Sequence, residues 1–163
     1  MTIADIPATA ARLQLNAILS RLAGRQALAE ICRYLRAEFR HFNWVGVYRL
    51  EGDRLILAAW DGAAATEHVE IPLGQGVCGR AAREKRTVVV GDVQKDPEYL
   101  ACFIETRSEI VVPVYDGPLV VGEIDIDGDR VNAYDASDAR FLESVARLIV
   151  EPLRATSGEP AAT

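Results

Sequence analysis

This chain has little positive charge and no long apolar run. Its 163 residues carry 18 Lys and Arg against 24 Asp and Glu, a formal net charge of −6. Phosphate binding needs a clustered positive surface, so the balance argues against a nucleic-acid partner. The densest basic stretch, Arg80 to Arg86, is one short helix face that also holds Glu84. No apolar run reaches the roughly 18 residues of a membrane span. The opening Met-Thr-Ile-Ala-Asp-Ile-Pro puts an acid where a secretory signal carries positive charge. A cytoplasmic location away from membranes is expected.

Cysteine and histidine are also scarce. Three cysteines, Cys32, Cys78 and Cys102, are an odd number, and a lattice of structural disulfides does not suit a reducing compartment. A pair among them therefore reads as reactive rather than structural. With His41 and His68 they form no recognisable zinc spacing, there is no Cys-x-x-Cys, and no Ser-His-Asp pattern is visible. Internal repeats and linkers are lacking too, which leaves one domain over residues 1–155. The small, polar ending Thr-Ser-Gly-Glu-Pro-Ala-Ala-Thr, residues 156–163, is expected to be a disordered tail.

The remaining sequence alternates clear periods. Residues 8–22 and 26–39 read as helices. Leu13, Leu15, Ile18, Leu19 and Leu22 form the stripe of the first, and Leu28, Ile31, Cys32, Leu35 and Phe39 that of the second. Cys32 in that stripe reads as a small core hydrophobe. Strands are predicted over 42–50, 54–60, 68–73 and 87–90, with a short helix over 77–85 and an irregular connection over 92–103. Residues 108–115 and 119–127 form the clearest hairpin, around Asp116-Gly117. Asp135 caps a long helix running to about Leu153. Strands flanked by terminal helices predict an α+β fold, a mostly antiparallel central sheet with the N- and C-terminal helices packed on one face.

The stretch from Ile71 to Asp127 concentrates the residues able to do chemistry. Glu123, Asp125 and Asp127 alternate with Ile124 and Ile126, so the three acids share one face of the last strand. That face is either solvated or a pocket for a ligand with a positive group. Glu109, early in the preceding strand, is placed to approach Asp125 across the ladder. There it either is an exposed strand-end charge or holds its proton as a general acid. Gly74-Gln75-Gly76-Val-Cys-Gly forms a strand-turn-helix in which Gly74 and Gly76 permit positive φ. It is neither the dinucleotide fingerprint nor a Walker loop. The helix start would favour the thiolate of Cys78, while a small packing residue is the simpler reading. Cys102 falls in the irregular connection, where functional residues are common.

The layout Gly-x-Gly-Val-x-Gly-x-Ala, then Thr-Arg-Ser-Glu-Ile-Val-Val-Pro, then Val-Gly-x-Ile-Asp-Ile-Asp resembles a GAF domain over about Leu13 to Leu153. The spacing of Cys78, Cys102, Glu109, Asp125 and Asp127 resembles that of the free methionine-(R)-sulfoxide reductases. The resemblance implies reduction of free L-methionine (R)-S-oxide with Cys102 as nucleophile, through a sulfenic acid. Glu109, Asp125 and Asp127 would hold the substrate's amino group and polarise or protonate its oxygen. Trp44 would receive the methyl group, and Cys78 would be the candidate resolving thiol. It implies no bound cofactor or metal, an external thioredoxin-like reductant and a homodimer. The chain departs from the family pattern where His68 replaces a cysteine ten residues before Cys78. Residues 58–67 lack the family's Gly-Pro-Phe-Gln-Gly-like segment, and Glu123 replaces an apolar residue. Recycling would then run through Cys78 or directly through an external thiol. The alternative is a GAF module that binds a small ligand as a sensor without turnover.

Overall fold

The computed structural model describes residues 8–163; the first seven residues of the expected domain lie outside the described residues. Two helices open the chain, α1 (Ala8–Arg21) and α2 (Gly24–Glu38). Ala11, Leu15 and Ile18 turn one side of α1 into the core, as their spacing of four and three residues requires. Leu13 falls off that line and is 67% exposed, so its expected place in the stripe is corrected. The α2 stripe is buried as expected, including Cys32.

Six strands follow: β1 (Trp44–Glu51), β2 (Arg54–Gly62), β3 (Glu70–Pro72), β4 (Val88–Val90), β5 (Ser108–Asp116) and β6 (Leu119–Gly128). They form one sheet in the order β3-β2-β1-β6-β5-β4, and every neighbouring pair is antiparallel. Helix α3 (Gly76–Glu84) lies between β3 and β4, and a short 3-10 turn (Val93–Lys95) follows β4. The long helix expected after Asp135 divides into α4 (Ala136–Leu148) and α5 (Val150–Arg154). Pro152 accounts for the break: it cannot donate to the Leu148 carbonyl, and its ring crowds that carbonyl.

Alternation splits the sheet into two apolar layers. On one face Val45, Val47, Ile110, Val112, Val114, Ile124 and Ile126 pack under α1, α2, α4 and α5. The terminal helices are therefore gathered on one side, in agreement with the sequence. On the other face Trp44, Tyr48, Leu55, Leu57, Ile71 and Val111 form a second cluster with Val77, Cys78 and Ala81 of α3. Helix α3 is the lid of that second layer, and the chemistry lies beneath it.

The tail expected to be disordered is instead held against the sheet. Ala162 N–H donates to the Leu57 carbonyl at 2.8 Å, the Trp60 indole donates to the Thr163 carbonyl at 3.4 Å, and Arg25 and Arg49 donate to the Pro160 and Glu159 carbonyls. Thr156 and Ala162 are buried. Its small polar residues lack a periodic pattern, but their backbone carbonyls take guanidinium donors from α2 and β1.

Candidate active site

Register decides which side chains meet. Across the β1–β6 ladder Trp44 faces Asp127, Gly46 faces Asp125 and Tyr48 faces Glu123. Across β5–β6 Glu109 faces Asp127 and Val111 faces Asp125. Directly opposed residues in an antiparallel pair point to the same side, so the four acids, Trp44 and Tyr48 share one face. That face is not solvated. Glu123, Asp125, Asp127 and Glu109 are 0%, 1%, 2% and 5% exposed, because α3 and the connection around Leu100 to Phe103 cover them.

Four carboxyl groups in one dry layer cannot all be ionised at little cost. Among the described residues no Lys or Arg pairs with any of them. Both oxygens of Glu123 and of Asp127, and Oδ1 of Asp125, have no conventional hydrogen-bond partner. Burial, then the charges of Asp125 and Asp127, push Glu109 well above the ordinary carboxylate range. Burial followed by the Asp125 charge does the same for Asp127. Asp125 is raised less, because its gain from burial is opposed by hydrogen bonds from Glu109 and Cys78. Of this pair Glu109 is the carboxyl pushed further toward its protonated form, with Asp125 beside it. Two like charges resolve by sharing a proton in this way.

Both thiols expected at the site are there. Cys78, in the first turn of α3, is buried with its sulfur beside Glu123 and Asp125. Burial, then Asp125, Glu123 and Glu109, push its pKa well up, so the expected stabilisation of its thiolate by the helix start is overturned. A partial positive charge at a helix end does not outweigh desolvation and three carboxyls. Cys102 Sγ donates weakly to the Leu100 carbonyl at 3.7 Å. Burial, then Asp127, Asp125 and Glu109, raise its pKa as well. Of the two glycines expected to adopt positive φ, Gly76 does, at +70°, with Leu100 against its Cα; Gly74 does not.

The predicted residues divide between two adjoining spaces. Cys78, Cys102, Glu109 and Asp125, with Ile71, Gly76, Val77 and Leu100, line a small cavity of about 10 Å³, room for one water or ion. Trp44 and Asp127 instead border a larger cleft of about 410 Å³ with Arg36, Asn43, Phe103 and Thr106 among its walls. That size suits an amino acid. Phe103 is a wall of the larger space, its ring 5.8 Å from that of Trp44. Trp44 also stacks on Trp60, 6.2 Å away and 14° from parallel.

Several supporting residues carried no motif. Tyr48 lies four residues after Trp44 on β1, a parity that was available to find it, and its hydroxyl donates to the His68 carbonyl at 2.8 Å. The His68 ring donates from Nε2 to the Ala101 carbonyl at 2.9 Å, pinning the peptide before Cys102. The Thr66 hydroxyl accepts from the His68 backbone N–H at 3.0 Å. Arg80 of α3 binds Asp96 at 2.8 Å, and Arg83 binds Glu98 at 3.3 Å. These two pairs fasten the Cys102-bearing connection onto the helix that carries Cys78. Cys32 lies apart, in the first apolar layer, with its thiol held protonated by burial. As for metals, Cys78, Glu109 and Asp125 offer donor atoms within 4.8 Å of one another.

Comparison with known proteins identifies the family. Residues 23–151 match the family model described as GAF domain. A Saccharomyces cerevisiae protein named free methionine-R-sulfoxide reductase is 44% identical over 112 residues, covering 66% of this chain and 61% of that protein. The structure of a type II free methionine-R-sulfoxide reductase from Thermoplasma acidophilum aligns with a TM-score of 0.78 at 41% identity, covering 80% of this chain and 92% of that one. A Neisseria meningitidis free methionine-R-sulfoxide reductase, solved in complex with its substrate, aligns at 0.81 with 34% identity and covers 91% of each chain. No helix among the described residues is long and apolar enough to cross a membrane.

Proposed function

The chain belongs to the GAF domain family, and from that premise we propose that it reduces free L-methionine (R)-S-oxide to methionine with Cys102 as the nucleophile. The observation that carries this reading is the shared cavity. The Cys102 thiol opens onto a wall made of Glu109, whose pKa burial and its acidic neighbours push well up, Asp125 and a second thiol, Cys78.

Each group has a defined task. The substrate ammonium supplies the cation that Asp125 and Asp127 lack. Once bound, it weakens the negative field that holds Cys102 protonated. Glu109 donates a proton to the sulfoxide oxygen, which makes the substrate sulfur electrophilic. Cys102 attacks that sulfur, the oxygen passes to the cysteine and methionine leaves as the thioether. The enzyme thiol is oxidised by two electrons to a sulfenic acid, and the substrate is reduced by two. A second thiol, Cys78 or an external one, condenses with the sulfenic acid and releases water. A thioredoxin-like dithiol then reduces the resulting disulfide. Trp44 receives the S-methyl group. An amino acid does not fit in about 10 Å³, so substrate joins the two spaces by displacing Phe103 and the peptide around Leu100. A cytoplasmic homodimer belongs to the same reading.

Single-turnover chemistry tests it. The reduced chain is mixed with the pure R isomer of free methionine sulfoxide, without added reductant. The expected result is one methionine released per chain, with oxidation on Cys102 or a Cys78–Cys102 disulfide found by peptide mass spectrometry. Cys102→Ser abolishes release. Cys78→Ser keeps the first turnover and slows recycling. Binding without any cysteine oxidation in the wild type sinks the reading and leaves a ligand sensor in its place.

A further inference from the structure

The cluster that lines the small cavity has a second capacity, and it does not depend on methionine chemistry. We propose that Cys78, Glu109 and Asp125 form a binding site for a thiophilic divalent cation, with Zn²⁺ as the physiological metal.

Three independent observations meet there. First, the donor set is right: one sulfur and two carboxylates from three different elements, α3, β5 and β6, have ligand atoms within 4.8 Å of one another. Zn²⁺ takes thiolate sulfur at about 2.3 Å and carboxylate oxygen at about 2.0–2.2 Å, so tetrahedral donors stand roughly 3.5 Å apart. An inward movement of about 1 Å completes the set. Second, the acids want a cation. Asp125 is 1% exposed, lines the cavity and has Oδ1 without a partner, and Glu123, fully buried beside Cys78, has both oxygens in the same condition. Third, the cavity of about 10 Å³ matches a single ion rather than an organic molecule.

The sulfur decides which metal enters. Mg²⁺ and Ca²⁺ prefer all-oxygen shells, whereas a thiolate selects Zn²⁺ and its softer neighbours. Cys78 binds as the thiolate and Glu109 as the carboxylate, and both protons leave to solvent as the ion enters. Glu123 stands next in line as a further oxygen donor, and Cys102 shares the cavity wall. The bound ion would sit where the reductase reading places the substrate's ammonium and general acid, so Zn²⁺ would block turnover. That consequence rests on the proposed reaction; the metal binding itself does not.

The test uses the intact chain and the metal alone. Reduced protein is titrated with Co²⁺, whose thiolate complexes absorb in the near ultraviolet by charge transfer, and the ion is then displaced with Zn²⁺. One Co²⁺ per chain with that absorption, lost stoichiometrically to Zn²⁺, is expected. Cys78→Ser should remove the band and weaken Zn²⁺ at least tenfold. Asp125→Asn, which neutralises a buried acid and is expected to fold, should weaken it to a similar degree. Cys32→Ser should leave both unchanged. Absence of the band in the wild type, its persistence in Cys78→Ser, or undiminished affinity in Asp125→Asn overturns the proposal. None of these readouts requires the chain to turn over methionine sulfoxide, so they are independent of the reductase reading.

Discussion

Gly46 lies directly under the indole of Trp44: a Cβ built at Gly46 would fall 2.3 Å from the ring, and one built at Gly62 would fall 2.2 Å from it. The ring lies flat across the sheet because two glycines on neighbouring strands leave it room. Gly46→Ala should lift the indole out of place, since real Cβ contacts of that length do not occur and the ring is rigid. The expected outcome is a KM for methionine sulfoxide raised about tenfold, equivalent to about 1.4 kcal/mol, with an overpacking loss of about 1–3 kcal/mol in unfolding free energy. Steady-state kinetics and denaturant unfolding of the same sample check both.

Neutralising Glu123 should stabilise the chain. Burial, opposed by the neighbouring Cys78 thiol and reinforced by Asp125, raises its pKa well above the ordinary value. A carboxyl raised in the folded state holds its proton there while the unfolded chain has already lost it. Its favourable contribution is therefore complete below the ordinary carboxylate range and is lost as pH rises through the raised folded value. Glu123→Gln should increase Tm at pH 8 and do little at pH 4. The wild type should lose stability toward alkaline pH more steeply than the variant, as thermal melts across pH will show.

Glu109 carries a separate prediction for rate. As a general acid it must be protonated, and burial with the charges of Asp125 and Asp127 pushes its pKa in that direction. Single-turnover methionine release should fall as pH climbs through that value. Glu109→Gln should lower the rate by about 10² or more and flatten this alkaline limb. A variant that keeps both the limb and the rate would remove Glu109 from its role.

Away from the site, Asp138 joins two parts of the helical layer. Its Oδ1 meets His41 Nε2 at 2.8 Å, while its Oδ2 accepts from the Asp135 backbone in a reciprocal capping box at the start of α4. Asp138→Ala should cost about 1–3 kcal/mol of stability, measured by urea unfolding. Turnover per folded molecule should be unchanged.

Some of this was legible before any coordinates. Ile124 and Ile126 announced the parity of β6, and the acids between them had to share the other face. The strand pattern of residues 108–127 fixed a hairpin, which brought Glu109 beside Asp125 and Asp127. What no local pattern revealed was the covering of that face. Whether α3 lies on the same side as the terminal helices or opposite them depends on how the strands before and after it are ordered. That choice turned an acidic surface into a dry cavity and raised the Cys78 pKa rather than lowering it. His68 and Arg80 act on the Cys102 loop through isolated contacts 33 and 16 positions apart in sequence, and such contacts leave no periodicity to read. The tail escaped for a related reason: its partners are arginines on α2 and β1.

The unpaired oxygens of Asp125 and Asp127 also bear on how long the chain survives in a cell. A ligand that brings a positive charge to them binds the native state and not the unfolded one, and each hundredfold excess over its Kd deepens the native well by about 2.7 kcal/mol. Without such a ligand that margin is absent, and the unfolded state, which proteases degrade, is more populated. Abundance of the protein would then follow the supply of what it binds, without any change in its synthesis.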